Sequence, residues 1–261
     1  MARNKKHIND KFYTKPELVE TLLTKVDLNN YDLIIEPSAG SGSFSDKLKN
    51  RNLIALDIDP ESSYITKQDW LTYKLNNRFE RILVVGNPPF GNQGGLALKF
   101  IKKSIELEAD TIAFILPKSF KKDTIKNKIP LIYHLVEEID LDDESFTLNG
   151  NSYKVPCVFQ IWKKMNFERN IKVLKDKTDL FSFVKKNENH DFAFRRVGFY
   201  AGKVYSETTD KSEESHYFIK SNIDVQELIS KLESIIWEHN NTAGPRSIGK
   251  KELIERLELI F

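Results

Sequence analysis

Apolar residues along the chain follow two rhythms in turn. Leu18, Val19, Leu22, Leu23 and Val26 recur at helical spacing and predict an amphipathic helix ending near Val26. Thr14 is placed to cap it, Pro16 suits its first turn, and Glu17 stands three residues after Thr14 as in a capping box. Short apolar runs follow at residues 33–36, 53–58, 65–71, 81–85 and 111–117. Runs of this length closed by turn residues read as buried strands. Helical patterns lie between them, near residues 44–48 and at Leu96, Phe100, Ile101, Ile105 and Leu107. Runs at 136–140 and 155–162 read as two more strands, the last turning back antiparallel. Strands alternating with helices predict an α/β fold: a mostly parallel seven-stranded sheet with helices on both faces.

Past about residue 163 the alternation stops. Residues 181–184 and 192–200 are aromatic and β-prone, with bends expected at Gly198 and Gly202. Residues 225–237 and 250–259 read as amphipathic helices, split at residues 240–245. The expected organisation is a loose polar start at residues 1–11, one large domain over 12–165 and a small α+β extension over 166–261.

Composition narrows the function classes. Among 261 residues, 40 Lys and Arg stand against 38 Asp and Glu, a net charge of +2. Any contact with a polyanion must therefore come from local patches. The extension carries sixteen basic and sixteen acidic residues, so it is not a basic arm. The single cysteine, Cys157, excludes an internal disulfide framework and a cysteine-based zinc cluster. No run of eighteen apolar residues occurs, and the basic start is followed by no apolar signal region. A cytoplasmic, metal-free monomer is the expectation, with a partner subunit left open.

The chemistry sits where strands end. Residues 81–85 run into Gly86-Asn87-Pro88-Pro89-Phe90-Gly91. Two prolines fix φ and remove two N–H donors, so this segment must be a stiff loop at the carboxyl end of a strand. Open α/β sheets bind ligands at that rim. Asn87 offers a side-chain oxygen, Pro88 a carbonyl, and Phe90 a flat apolar face. Two acceptors converging on one NH2 group, with a ring beneath, suit the exocyclic amine of a planar base; a structural turn is the bland alternative. Upstream, Glu36-Pro37-Ser38-Ala39-Gly40-Ser41-Gly42-Ser43-Phe44 is rich in small residues. It lacks the Gly-Lys-Ser/Thr end of a P-loop and the third glycine of a dinucleotide fingerprint. Asp57, about twenty residues past the start of that loop, is placed either to accept from ribose hydroxyls or to cap a turn. Asp69, before Trp70, is either a turn residue or a ligand contact. Lys118, Lys121 and Lys122 open a run of five lysines and one acid, a solvated face or a phosphate contact on the same rim as Asn87. Arg195 and Arg196 stand beside aromatics, placed either to contact nucleic acid or to belong to a small mixed module that closes the catalytic sheet.

Taken in order, these segments resemble the S-adenosylmethionine-dependent N6-adenine methyltransferases that carry an N-P-P-F motif. Asn87-Pro88-Pro89-Phe90 is similar to their motif IV, Tyr13-Thr14 to motif X, and residues 36–44 to motif I. Asp57 matches the acid of motif II, and Gln68-Asp69-Trp70-Leu71 resembles motif III. The likeness covers roughly residues 12–162. It implies a Rossmann-like methyltransferase sheet as the catalytic domain, with S-adenosyl-L-methionine as methyl donor and S-adenosyl-L-homocysteine as product. By that likeness, Tyr13 and Thr14 touch the methionine end of the cofactor. Glu36, Pro37, Ser38, Ala39, Gly40, Gly42 and Phe44 lie along its methionine and ribose. Asp57 accepts from the ribose, Ile58 packs on the adenine, and Asp69 with Trp70 meets the adenine amine. Asn87, Pro88, Pro89 and Phe90 hold the target amine, and Phe146 stacks on the other face of the target base. The implied substrate is adenine in nucleic acid, with DNA favoured over RNA. An RNA adenine methyltransferase and a protein glutamine methyltransferase are the rivals.

Overall fold

A computed structural model describes residues 13–142, 146–148, 151–153, 156–237 and 246–261. The expected loose start at 1–11 and the expected break at 240–245 lie outside the described residues. The chain divides into two compact units. The first takes the described residues up to Lys121 together with Ile125–Asn170; the second takes Lys122–Thr124 and the described residues from Ile171 onward.

In the first unit the chain runs β1 (Tyr13–Thr14), α1 (Pro16–Leu23), β2 (Leu33–Glu36), α2 (Ser45–Leu48), β3 (Leu53–Asp57) and β4 (Thr66–Lys67). It continues through β5 (Ile82–Gly86), α3 (Gly95–Glu106), β6 (Thr111–Pro117), the one-turn α4 (Asp123–Lys126), whose first two residues are counted with the second unit, and β7 (Tyr133–Asp140). Two short strands, β8 (Phe146–Leu148) and β9 (Asn151–Tyr153), precede β10 (Cys157–Lys164). The seven-stranded sheet has the order β4-β3-β2-β5-β6-β10-β7. Parallel pairing joins β4 through to β6. The last strand, β10, is antiparallel to both β6 and β7 and lies between them. The sheet is thus the Rossmann-like arrangement expected, mostly parallel with its final strand reversed.

Side chains alternate across this sheet with period two, and that alternation sorts the core into two layers. Leu33, Ile35, Val84, Ile112, Phe114 and Val158 face one way and pack with Ala97, Phe100 and Ile101 of α3. Ile34, Leu83, Val85, Ala113, Ile115 and Phe159 face the other way and pack with Val19, Leu22 and Leu23 of α1 and Leu48 of α2. Both faces are covered, so the central strands read as unbroken apolar runs rather than alternating ones.

Two local expectations need correction. Thr14 does not cap α1. Lys15 holds that position with extended dihedrals and no side-chain cap bond, while Thr14 is drawn into strand pairing opposite Phe146. The strand expected over residues 65–71 contracts to β4, because Asp69 caps a 3-10 turn at Trp70–Thr72 by accepting from the Leu71 N–H.

The second unit holds β11 (Phe181–Val184), β12 (Phe192–Arg195), β13 (Val204–Tyr205), β14 (His216–Ser221), α5 (Val225–Ser234) and α6 (Lys250–Glu258). Its antiparallel sheet, β11-β14-β12-β13, packs Phe181, Phe192, Phe194 and Ile219 against Leu228, Leu232, Leu253 and Leu257 of the two helices.

Candidate active site

In the sheet order, β2 leads outward through β3 to β4, whereas β5 leads the other way to β6. The pair β2–β5 is therefore the topological switch point, and the crevice beyond its carboxyl ends is where such sheets bind ligands. β2 ends at Glu36 and β5 at Gly86. The two loops singled out in the sequence consequently leave the sheet side by side. They enclose a cavity of about 450 Å³, within the usual range for a small-molecule site.

The cavity brings most of the expected residues together. Its wall includes Thr14, Glu36, Pro37, Ser38, Ala39, Gly40 and Phe44 from the first two segments. Asp57, Ile58, Asp69 and Trp70 close another side. Asn87, Pro88, Pro89 and Phe90 complete it. Gly42 is buried behind the wall rather than in it; at φ +101° it makes a turn that an L-residue would strain. Tyr13 and Phe146 are placed by their backbones alone. Tyr13 pairs with Thr147, and Phe146 pairs with Thr14 and Tyr153; their side chains lie outside the described residues.

Hydrogen bonds tie the two loops to each other. Ser38 Oγ donates to the Asn87 carbonyl at 3.2 Å. Asn87 Nδ2 donates to Thr14 Oγ1 at 3.3 Å, which turns Oδ1 to the opposite side of the amide. Gly86, at φ +150°, brings the chain close over Glu36; an added Cβ would meet Glu36 Cγ at 3.3 Å. Beyond the prolines, the Phe90 carbonyl accepts from the N–H groups of Leu96 and Ala97 at 3.1 and 3.3 Å. These bonds dock the loop on the first turn of α3, where N–H groups have no intrahelical acceptor. Phe90 is half-buried, packed from below by both core layers. Its placement is that of a ring with support beneath it and one region toward the cavity.

Asp57 links the glycine-rich loop to the end of β3. Its Oδ2 accepts from the Gly40 N–H at 2.7 Å and its Oδ1 from the Asp59 N–H at 2.8 Å. A carboxylate has about four acceptor positions, so these bonds use half of its capacity. Ile58 beside it is 64 % exposed, an apolar surface suited to a flat ring. Trp70 is 1 % exposed and donates its indole N–H to the Phe100 carbonyl at 3.3 Å. It therefore serves the wall more than it reaches into the space.

Glu36 is the one buried carboxyl of the site, 2 % exposed. Ser45 Oγ donates to it, and the Ser45 and Phe44 backbone N–H groups do so as well. Burial outweighs those bonds and pushes its pKa from 4.5 up to about 8. The folded protein thus holds a proton that the unfolded chain releases. The stability from this group is full below pH 4.5 and is lost as the pH rises through about 8. Glu36→Gln is expected to remove that loss, a gain of a few kcal/mol, order of magnitude only, above pH 8 and little below pH 4.5. Thermal unfolding of both proteins across that window checks it; a stability difference independent of pH would contradict it.

The expected phosphate contacts Lys118 and Lys121 of the first unit are not among the wall residues. Lys118 and Lys121 lie beside Asp140, at 3.9 and 2.9 Å. Lys122, counted with the second unit, meets Glu252 at 3.0 Å and the Ser247 carbonyl at 2.8 Å. In the same unit Arg195 donates to the Val197 carbonyl and Ser215 Oγ, while Arg196 donates to the Glu214 carbonyl and lies over Tyr217. Gln68 and Leu71 of the segment resembling motif III also line the wall, whereas sequence reading did not place Asp59, Leu96 and Phe100 there. Leu96 and Phe100 were detectable, because they stand four apart on the first turns of α3 and so share a face. Asp59 carried no periodic signal. Among the described residues no cluster of His, Cys, Asp and Glu could hold a metal, and no helix is long and apolar enough to cross a membrane.

Residues 27–179 match the family model of the EDM2 methyltransferase-like domain. Protein ENHANCED DOWNY MILDEW 2 of Arabidopsis thaliana is 26% identical over 159 residues, 55% of this chain. The match spans only 12% of that protein's length. Among solved structures, the 23S rRNA methyltransferase ErmE aligns with a TM-score of 0.47 and 16% identity, over 60% of this chain and 71% of that one. A dimethyladenosine transferase of Plasmodium falciparum gives 0.42 and 16%, over 58% and 62%. The N-methyltransferase NodS of Bradyrhizobium japonicum, in complex with S-adenosyl-L-homocysteine, gives 0.41 and 13%, over 57% and 85%.

Proposed function

Since the chain belongs to the EDM2 methyltransferase-like family, we propose that it transfers a methyl group from S-adenosyl-L-methionine to the N6 amine of an adenine in nucleic acid, with DNA as the substrate. One observation carries this reading: the glycine-rich loop and Asn87-Pro88-Pro89-Phe90 wall a single cavity and are hydrogen-bonded to each other. A donor held by the first loop would then face an amine held by the second.

The wall fits such a donor. Small residues at Ser38, Ala39 and Gly40 let backbone approach it, and Asp57 retains acceptor capacity for ribose hydroxyls. When bound, S-adenosyl-L-methionine supplies a methyl already activated on a sulfonium. The chain's own task is positioning. An adenine amine is a poor nucleophile because its lone pair is delocalised into the ring. Asn87 Oδ1 and the Pro88 carbonyl would accept its two protons and favour a tetrahedral nitrogen, acting through alignment and electrostatics. The methyl would pass from the sulfonium to N6 in one displacement, leaving S-adenosyl-L-homocysteine, and the methylated amine would release one proton to solvent water. Phe90 would stack under the base, which must be flipped out or already unpaired to reach the cavity. Phe146, by its backbone register opposite Thr14, is a candidate for the second stacking face.

The test is transfer of labelled methyl to duplex DNA, single-stranded DNA and RNA, followed by nucleoside analysis. N6-methyladenine in a DNA pool is expected. Label in RNA alone would move the reading to its RNA rival. Label in none of the pools, from protein that binds the cofactor, would overturn it.

A further inference from the structure

The second unit presents a feature that the transfer reaction does not use. Between β12 and β13 the chain makes a tight turn with Phe199 and Tyr200 at its tip. Phe199 is 80 % exposed and Tyr200 60 %. Two large rings side by side in water are not explained by folding, since neither buries what it could. The turn beneath them is firmly held. Gly198 donates to the Arg246 carbonyl at 2.9 Å and Gly202 to the Arg195 carbonyl at 2.8 Å. Gly202, at φ +100°, lies so close to Trp237 that an added Cβ would meet its ring at 2.3 Å. The two rings meet edge to face, centroids 5.2 Å apart.

Cations surround the rings. The Arg246 guanidinium lies 5.8 Å from the Phe199 centroid and donates to the Phe199 carbonyl at 3.3 Å. Lys203 Nζ lies 6.0 Å from the Tyr200 centroid. Among the described residues neither cation pairs with a carboxylate. Rigid exposed rings flanked by cations are the two components of a surface for unpaired nucleic acid: π-faces for bases and positive charge for the phosphates between them. An acidic or purely apolar protein surface would match only one of the two.

We propose that Phe199 and Tyr200, with Lys203 and Arg246, form a stacking platform for an unpaired nucleic-acid strand. The platform binds any base sequence, because every base has a face to stack. It goes beyond the methyl-transfer reading and stands without it.

Fluorescence anisotropy with a labelled oligothymidine of about 12 nucleotides, within the usual site size for such surfaces, tests it on the full chain. An oligouridine of equal length provides the RNA arm. Phe199→Ala and Tyr200→Ala are each expected to weaken binding about 5- to 100-fold. Phe199→Leu, which stays apolar but loses the ring, is expected to weaken it as well. Lys203→Ala and Arg246→Ala are expected to lower the slope of affinity against salt concentration. Both rings are exposed, so circular dichroism should match the parent protein. Unchanged affinity in the ring variants, or no binding of either oligonucleotide, would overturn the proposal. So would ring variants that lose self-association in size-exclusion chromatography while keeping strand affinity, because the patch would then dock a second copy. Asn87→Ala should leave strand binding intact, which separates failure of the platform from failure of the transfer reading.

Discussion

Asn87→Ala is expected to lower single-turnover methyl transfer by about 100- to 1,000-fold or more, the range for removing a group that acts on charge developing in a transition state. Cofactor affinity should stay within about threefold, less than half of the free energy that one well-made charge-assisted hydrogen bond confers. The argument comes from where the amide is held. Its nitrogen end donates to Thr14 Oγ1 at 3.3 Å, a long and weak bond whose loss costs the fold little. The backbone carbonyl that accepts from Ser38 Oγ remains in the variant. The loop also keeps its anchor on Leu96 and Ala97. What disappears is the side-chain oxygen. Equilibrium dialysis of labelled cofactor alongside the transfer assay separates the outcomes. Undiminished turnover would remove Asn87 from the chemistry, and lost affinity would make its role structural.

Asp57→Ala should act in the opposite way, weakening cofactor binding by about two orders of magnitude if the carboxylate accepts from ribose hydroxyls, at about 1.5–3 kcal/mol for a bond to a charged group. The same variant releases the Gly40 and Asp59 N–H groups that the carboxylate now holds at 2.7 and 2.8 Å. Part of its loss would therefore be a loosened glycine-rich loop. Asp57→Asn distinguishes the two contributions, because an amide keeps one acceptor oxygen but not the charge. Calorimetric titration should give an intermediate affinity for that variant. If Asp57→Ala binds the cofactor within about threefold of the parent, a fraction of one such bond, Asp57 does not contact it.

The parts of this site that could be read in the sequence are those with a local cause. Consecutive prolines after an apolar run force a loop at a strand end. Small residues after Glu36 permit close approach of backbone. Asp69 was readable as a turn residue and does cap one. Thr14 shows the limit. Its spacing to Glu17 matched a helix cap, but pairing with Phe146 and the amide of Asn87 took it elsewhere. A long-range partner outcompeted a local propensity, and no window of sequence contains both. Lys118 and Lys121 show the same limit, since Asp140, beside them in space, stands about twenty residues away in sequence.

The sequence by itself determined the alternation of strands and helices, the apolar strands that must be covered on both faces, and the stiffness of the segment around Asn87. Each follows from side-chain period or backbone restriction within a few residues. Only the tertiary structure decided that β2 and β5 are neighbours, that the last strand slips between β6 and β7, and that Glu36 keeps its proton. Those outcomes depend on which surfaces meet and which charges lose their water. Both are settled by how segments apart in the chain pack together, where sequence pattern carries no distance.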